Sequence, residues 1–104
     1  MIDMNTAAYK IKIPTRIIKA ISSESGLKIF FLLNRRREMC VTDIASAVGL
    51  SISAVSHQLK KMEAAGLVDS RRHGRTICYL FVKQKGIKEL VRCLEKIASK
   101  GRRK

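Results

Sequence analysis

Residues 42–59 read TDIASAVGLSISAVSHQL, and the spacing of their apolar residues decides the fold. Ile44, Ala45 and Val48 recur at helical spacing until Gly49 stops them. Ser51 opens a second run in which Val55, Leu59 and Met62 lie on one stripe, up to a stop at Gly66. Thr42 and Ser51 stand where a side-chain oxygen can cap the first free N–H groups of each helix. Ala45 is small where two short helices must cross closely, and Gly49 accepts the positive φ of a tight turn. Ile44, Val48, Leu50 and Val55 make the small core that fixes the crossing. The second helix, 52–65, is then a rigid rod with one face outward, the logic of a helix-turn-helix. On that face fall Ser53, Ser56, His57 and Lys60, with Gln58 on the flank and Lys61 beside them. Such a rod enters a DNA major groove N-terminus first. Hydroxyl, imidazole and amide groups would meet base edges, and Lys60 and Lys61 would reach phosphates. None of these is the bidentate Arg that reads guanine, so no operator sequence follows. An ordinary solvated helix face is the alternative that this segment alone leaves open.

Downstream the period changes. Leu67-Val68, the run Arg71-Arg72-His73-Gly74-Arg75, and Ile77 to Val82 read as a two-stranded hairpin turned at His73-Gly74. Arg71, Arg72 and Arg75 gather at its tip, as in a wing that places arginine beside or inside the minor groove. A tip that is merely solvated is the other reading. Ile87, Leu90, Val91, Leu94, Ile97 and Ala98 then mark a strongly amphipathic helix within 84–100. Its apolar face suits either its own subunit or a second copy. Upstream, Pro14 can open a first helix bearing Ile17, Ile18 and Ile21. Ser22 and Ser23 offer caps for a second, apolar nearly all round from Leu27 to Leu33 and so the most buried element. Asn34 and the cations Arg35, Arg36 and Arg37 end it, suiting the negative end of the helix dipole. The expected fold is mainly α with a two-stranded β-hairpin, in the order α-α-α-α-β-β-α. It forms a single winged helix-turn-helix domain over 1–104, with about ten N-terminal and about four C-terminal residues fraying.

The 104 residues make one domain, near the size where a single core is marginal, so an obligate dimer would help. Twenty-two Lys and Arg face eight Asp and Glu, a net charge of +14. Such an excess repels itself in the folded state and suits a polyanionic partner: nucleic acid first, an anionic membrane surface second. Cys40, Cys78 and Cys93 are odd in number and far apart, unlike a disulfide framework, and a reducing cytoplasm is the simplest home. The opening MIDMNTAAYKIKI lacks the pattern of a signal peptide, and no apolar run reaches the ~18 residues of a membrane span. An enzyme has little to work with. His57 and His73 are the only histidines, and no acid pair, phosphate loop or nucleophile with a partner base appears. No cofactor is expected.

The stretch from Glu38 to Leu80, EMCVTDIASAVGLSISAVSHQLKKMEAAGLVDSRRHGRTICYL, resembles the arsenic-repressor (ArsR/SmtB) family of winged-helix regulators. Its most specific parts are SAVSHQLKKMEAAGLV and the RRHGR that follows shortly after. The likeness extends back to Ala20 and forward to about Ala98. The resemblance implies a homodimer whose first and last helices pack across a two-fold axis, here through Ile17, Ile21, Ile87, Leu90, Val91, Leu94 and Ile97. It also implies a repressor that binds double-stranded DNA at an imperfect palindrome and leaves when an inducer binds.

The family's sensor positions fit poorly. Where its arsenic sensors place three cysteines, this chain has Cys40, Thr42 and Ala45, and one thiolate holds a soft metalloid weakly. Where its zinc sensors place acid and imidazole ligands, this chain has Lys83, Lys85, Lys96 and Ser99. Its persulfide sensors carry a cysteine where Phe31 stands. Gly26 replaces a basic residue, and Arg35 to Arg37 replace a neutral or acidic loop, adding phosphate contacts if that loop faces DNA. Cys78 is expected in the packing of the hairpin. Cys40 and Cys93 are weak sensor candidates, as a redox pair or a two-thiolate metal site, if they approach one another; no metal site is otherwise expected. Two functions remain: a sequence-specific homodimeric repressor, and a low-specificity DNA-coating protein on the same fold.

Overall fold

The computed structural model describes residues 15–84 and 86–102. The expectations for Pro14 and for the first ten residues fall outside them. Among the described residues five helices and three strands follow one another. They are α1 (Thr15–Ala20), α2 (Glu24–Arg36), β1 (Glu38–Cys40), α3 (Val41–Val48), α4 (Ile52–Ala64), β2 (Val68–His73), β3 (Thr76–Phe81) and α5 (Ile87–Arg102). The expected two-stranded hairpin is therefore part of a three-stranded antiparallel sheet in the order β1-β3-β2. β1 adds itself to the free edge of β3 with Glu38 opposite Leu80 and Cys40 opposite Cys78. Pairing that edge satisfies backbone groups that would otherwise face solvent alone. The hairpin turn sits one residue later than expected, at Gly74-Arg75, because His73 still pairs with Thr76.

Local chemistry sets the helix boundaries. Ser22 Oγ donates to the carbonyl of Lys19 at 2.9 Å, closing α1, and Ser23 Oγ accepts from the Gly26 N–H at 2.9 Å, opening α2. Ser51 Oγ does the same for α4, accepting from the Ala54 N–H at 3.0 Å. Thr42 does not cap α3. Its N-cap is Cys40, without a side-chain bond, because the chain passes directly from β1 into the helix. Between α3 and α4, Gly49 adopts φ 74° and ψ 34°, and its N–H bonds the Ala45 carbonyl at 2.9 Å. This left-handed turn carries almost no penalty for glycine and a substantial one for a residue with a Cβ.

The core lies where α2, α3 and α4 converge on the sheet. Ile29, Phe30, Leu33, Ile44, Val55, Leu59, Met62 and Leu67 are wholly buried. Each such side chain contributes about 1.5–3 kcal/mol of burial, opposed by the entropy of ordering it. Phe30 anchors the packing, with ring centroids 5.7 Å from Phe31 and 5.3 Å from Phe81. Arg16 Nε reaches the Ala65 carbonyl at 3.1 Å and ties α1 to the end of α4. Gly26 is small for a packing reason: a Cβ there would stand 3.0 Å from Gln58 Nε2 and 3.0 Å from Ile21 Cα.

Arg37, which leads from α2 into β1, has φ 72° and ψ −62°. This is the strained γ-turn region, which costs a side-chain-bearing residue about 1–3 kcal/mol. Arg37→Gly should therefore raise thermal stability, by about 1 kcal/mol after the added freedom of the unfolded chain is subtracted. A melting temperature unchanged or lowered would show that the Arg37 side chain compensates for its backbone.

Candidate nucleic-acid interface

α4 has two faces of different chemistry. Val55, Leu59 and Met62 turn inward and are completely buried. Ser53, His57, Lys60 and Lys61 are exposed on the other side, and Ser56 is half-buried at the boundary. Thr42 and Ser51 are both exposed at the starts of α3 and α4. Four of the expected base- and phosphate-contacting side chains of α4 thus share one open surface. Gln58 does not join them. It is 6% exposed, and its side-chain amide donates to the backbone carbonyl of Ala20. An amide at this depth must be paired, so Gln58 fastens α4 to the end of α1 and takes no part in the outer face. Two apolar residues depart from the sequence pattern. Ile52, in the first turn of α4, is 53% exposed although its spacing continues the buried stripe, and Leu50, expected in the small core, is 37% exposed.

The wing places Arg71, Arg72, His73 and Arg75 in solvent. Arg71 and His73 share one carboxylate: Arg71 Nη1 stands 3.9 Å from Glu38 Oε1, and His73 Nε2 stands 3.1 Å from Glu38 Oε2. Among the described residues neither Arg72 nor Arg75 makes an ion pair, so both guanidinium groups are available to an anion. Arg35, Arg36 and Arg37 are exposed where α2 passes into β1.

The expected dimer residues divide by burial. Ile17 and Ile21 are each 3% exposed inside their own subunit, which leaves them no area to offer a second copy. Val91 is buried in the same way, through packing against the domain's own core. Ile87, Leu90 and Leu94 are half-buried, whereas Ile18 at 40% and Ile97 at 63% face outward.

The cysteines also depart from expectation. Cys40 and Cys78, opposite one another across β1 and β3, form a disulfide, and Cys93 is free and exposed on α5. Cys40 is thus paired with Cys78 rather than with Cys93, whose approach the sequence left open, and only the strand register reveals that pairing. Apart from Cys40, the described positions that the resemblance associates with metal supply no thiolate, imidazole or carboxylate. Thr42 is an exposed hydroxyl, Ala45 a buried methyl, and Lys83 and Lys96 are exposed ammonium groups, while Lys85 and the Ser99 side chain lie outside the described residues. A different cluster does bring donors together. One ligand atom each from Glu38, His73 and Cys78 lies within 4.8 Å of the others.

Comparison with known proteins agrees with this geometry. The profile described as bacterial regulatory protein, arsR family, matches residues 23–70. The cadmium resistance transcriptional regulatory protein CadC of Listeria innocua is 38% identical over 65 residues, 62% of this chain and 54% of that protein. The chain thus spans about half the length of the curated relatives it matches. Among solved structures, NolR from Sinorhizobium fredii is 32% identical with a TM-score of 0.69, covering 80% of this chain and 81% of that one. A homodimeric winged helix-turn-helix DNA-binding domain from Mycobacterium bovis, a possible ArsR-family regulator, superposes with a TM-score of 0.70 at 27% identity, covering 86% and 81%. With its β2–β3 wing in a three-stranded sheet, its capped α4 and these likenesses taken together, the chain belongs to the ArsR family of winged helix-turn-helix regulators.

Proposed function

We propose that the chain acts as a homodimeric, sequence-specific DNA-binding repressor in the cytoplasm, with α4 in the major groove and the β2–β3 wing gripping the backbone beside it. The observation that carries this reading is the division of α4. Its inner face is locked into the core, and its outer face presents Ser53, His57, Lys60 and Lys61 together. A rod held so firmly presents hydrogen-bonding groups with little entropy left to lose on binding. Ile52 adds an apolar contact suited to a thymine methyl. The second copy docks along α5, through the exposed Ile97 and the half-buried Leu94, with Ile18, exposed on α1, as a further apolar contact. The relatives' printed roles in cadmium and arsenical resistance concern those proteins. Lys83 and Lys96, which stand where the resemblance places zinc ligands, argue against a zinc sensor of that type here.

Competition binding tests the reading. A repressor should prefer its palindrome over random duplex by about 10³ or more, and equal affinity for both would indicate a DNA-coating protein. His57→Ala should lower that preference roughly fivefold, about 1 kcal/mol for one lost hydrogen bond, while binding to random duplex changes little. An equal loss on every sequence would remove His57 from base reading.

A further inference from the structure

We propose that Cys40 and Cys78, once reduced, join His73 and Glu38 in a four-ligand site for a soft divalent cation of the zinc or cadmium type. Side chains two apart on a strand share a face, and so do register partners in neighbouring strands. Glu38 and Cys40 are two apart on β1, Cys78 faces Cys40 on β3, and Arg71 on β2 faces Cys78 from the other side. His73 lies two beyond Arg71, so all four donors stand on one face of the sheet. Glu38, His73 and Cys78 already place ligand atoms within 4.8 Å of one another, and Cys40 Sγ is bonded to Cys78 Sγ. They line a single cleft together with Arg36, Met39 and Asp43.

The donor set fits the ion. Two sulfurs, an imidazole and a carboxylate suit tetrahedral zinc or cadmium and suit magnesium or calcium poorly. With metal–sulfur bonds of about 2.3 Å, two tetrahedral thiolates sit about 3.8 Å apart. Register partners in adjacent strands can provide that separation with a small side-chain rotation. Cys40 is also the N-cap of α3, where the helix dipole favours a thiolate. Two thiolates and a carboxylate bring three negative charges against two on the cation, and the remaining charge lies beside Arg71, already paired with Glu38.

The disulfide must open first. Two molecules of a low-molecular-weight thiol reduce it: the Cys40–Cys78 bond breaks, each cysteine gains a hydrogen, and the two donors leave joined by a new disulfide. The cation then displaces one proton from each cysteine. The oxidised pair offers no thiolate, so the site exists only in the reduced protein.

Cobalt(II) titration of the full chain carrying Cys93→Ser tests this, because Cys40 and Cys78 are then its only cysteines and the only source of thiolate. In protein reduced with a phosphine, one equivalent of cobalt should produce thiolate-to-cobalt charge transfer and the intense visible bands of a tetrahedral ion, both abolished by zinc. Cys78→Ser should lower affinity by about a hundredfold or more and weaken the charge transfer. His73→Ala should lower affinity by about tenfold or more while keeping it. Circular dichroism checks that each variant is folded. No charge transfer in the reduced protein, or identical spectra and affinity in the Cys78→Ser and His73→Ala variants, would overturn the proposal. The titration contains no DNA, so its outcome is independent of the DNA-binding reading.

Discussion

Replacing Arg72 and Arg75 together with alanine should weaken DNA binding about a thousandfold near physiological salt. The estimate follows from the charge on the wing. Both guanidinium groups are exposed and, among the described residues, make no ion pair within the chain. Each phosphate contact contributes about 0.9 to the slope of log affinity against log salt. Two arginines per subunit make four in a dimer, so the slope should flatten by about 3.6, which amounts to roughly 10³ at 0.15 M salt. Arg71→Ala alone should do less, because Glu38 already offsets its charge. The measurement is a salt series with the wild-type and double-variant proteins on one duplex. An unchanged slope would take the wing out of the interface, whatever happened to the affinity at a single salt concentration.

Gln58→Ala should destabilise the fold by about 2–3 kcal/mol. The Gln58 amide is buried and bonds the Ala20 carbonyl, so its removal orphans that carbonyl in a dry place and opens a void beside Gly26. Chemical denaturation should show the midpoint falling with little change in its slope. At temperatures where the variant remains folded, its preference among DNA sequences should stay as in the wild type, because the side chain never reaches the outer face. A variant of normal stability with altered base preference would return Gln58 to the role its neighbours suggest.

Helical periodicity made most of the scaffold legible. The stripe Val55, Leu59, Met62 and the stop at Gly49 read correctly because spacing and turn chemistry agree. Gln58 was misjudged although the signal was present. Three residues after Val55 and four before Met62, it falls on the inward stripe, and polarity alone pushed it outward. Ile52 shows the opposite: its spacing continues the stripe, yet it lies in the first turn and remains exposed. β1 is three residues long and runs into α3 without a turn, so no alternation could reveal it. The Cys40–Cys78 pairing depends on that hidden strand and joins residues 38 apart, which local pattern cannot predict. Ile17 and Ile21 carry the apolar pattern that resemblance assigned to a partner, but a domain this small needs them in its own core.

The most direct test of a reading helix held outward is selection of bound duplexes from a random pool, run in parallel with the wild-type chain and with His57→Ala. The account expects a palindrome whose half-sites lie about one helical turn, roughly 10 base pairs, apart, with a base preference that relaxes in each half-site in the variant. Recovery of no shared sequence, or of the same sequence with the same stringency from both proteins, would contradict it.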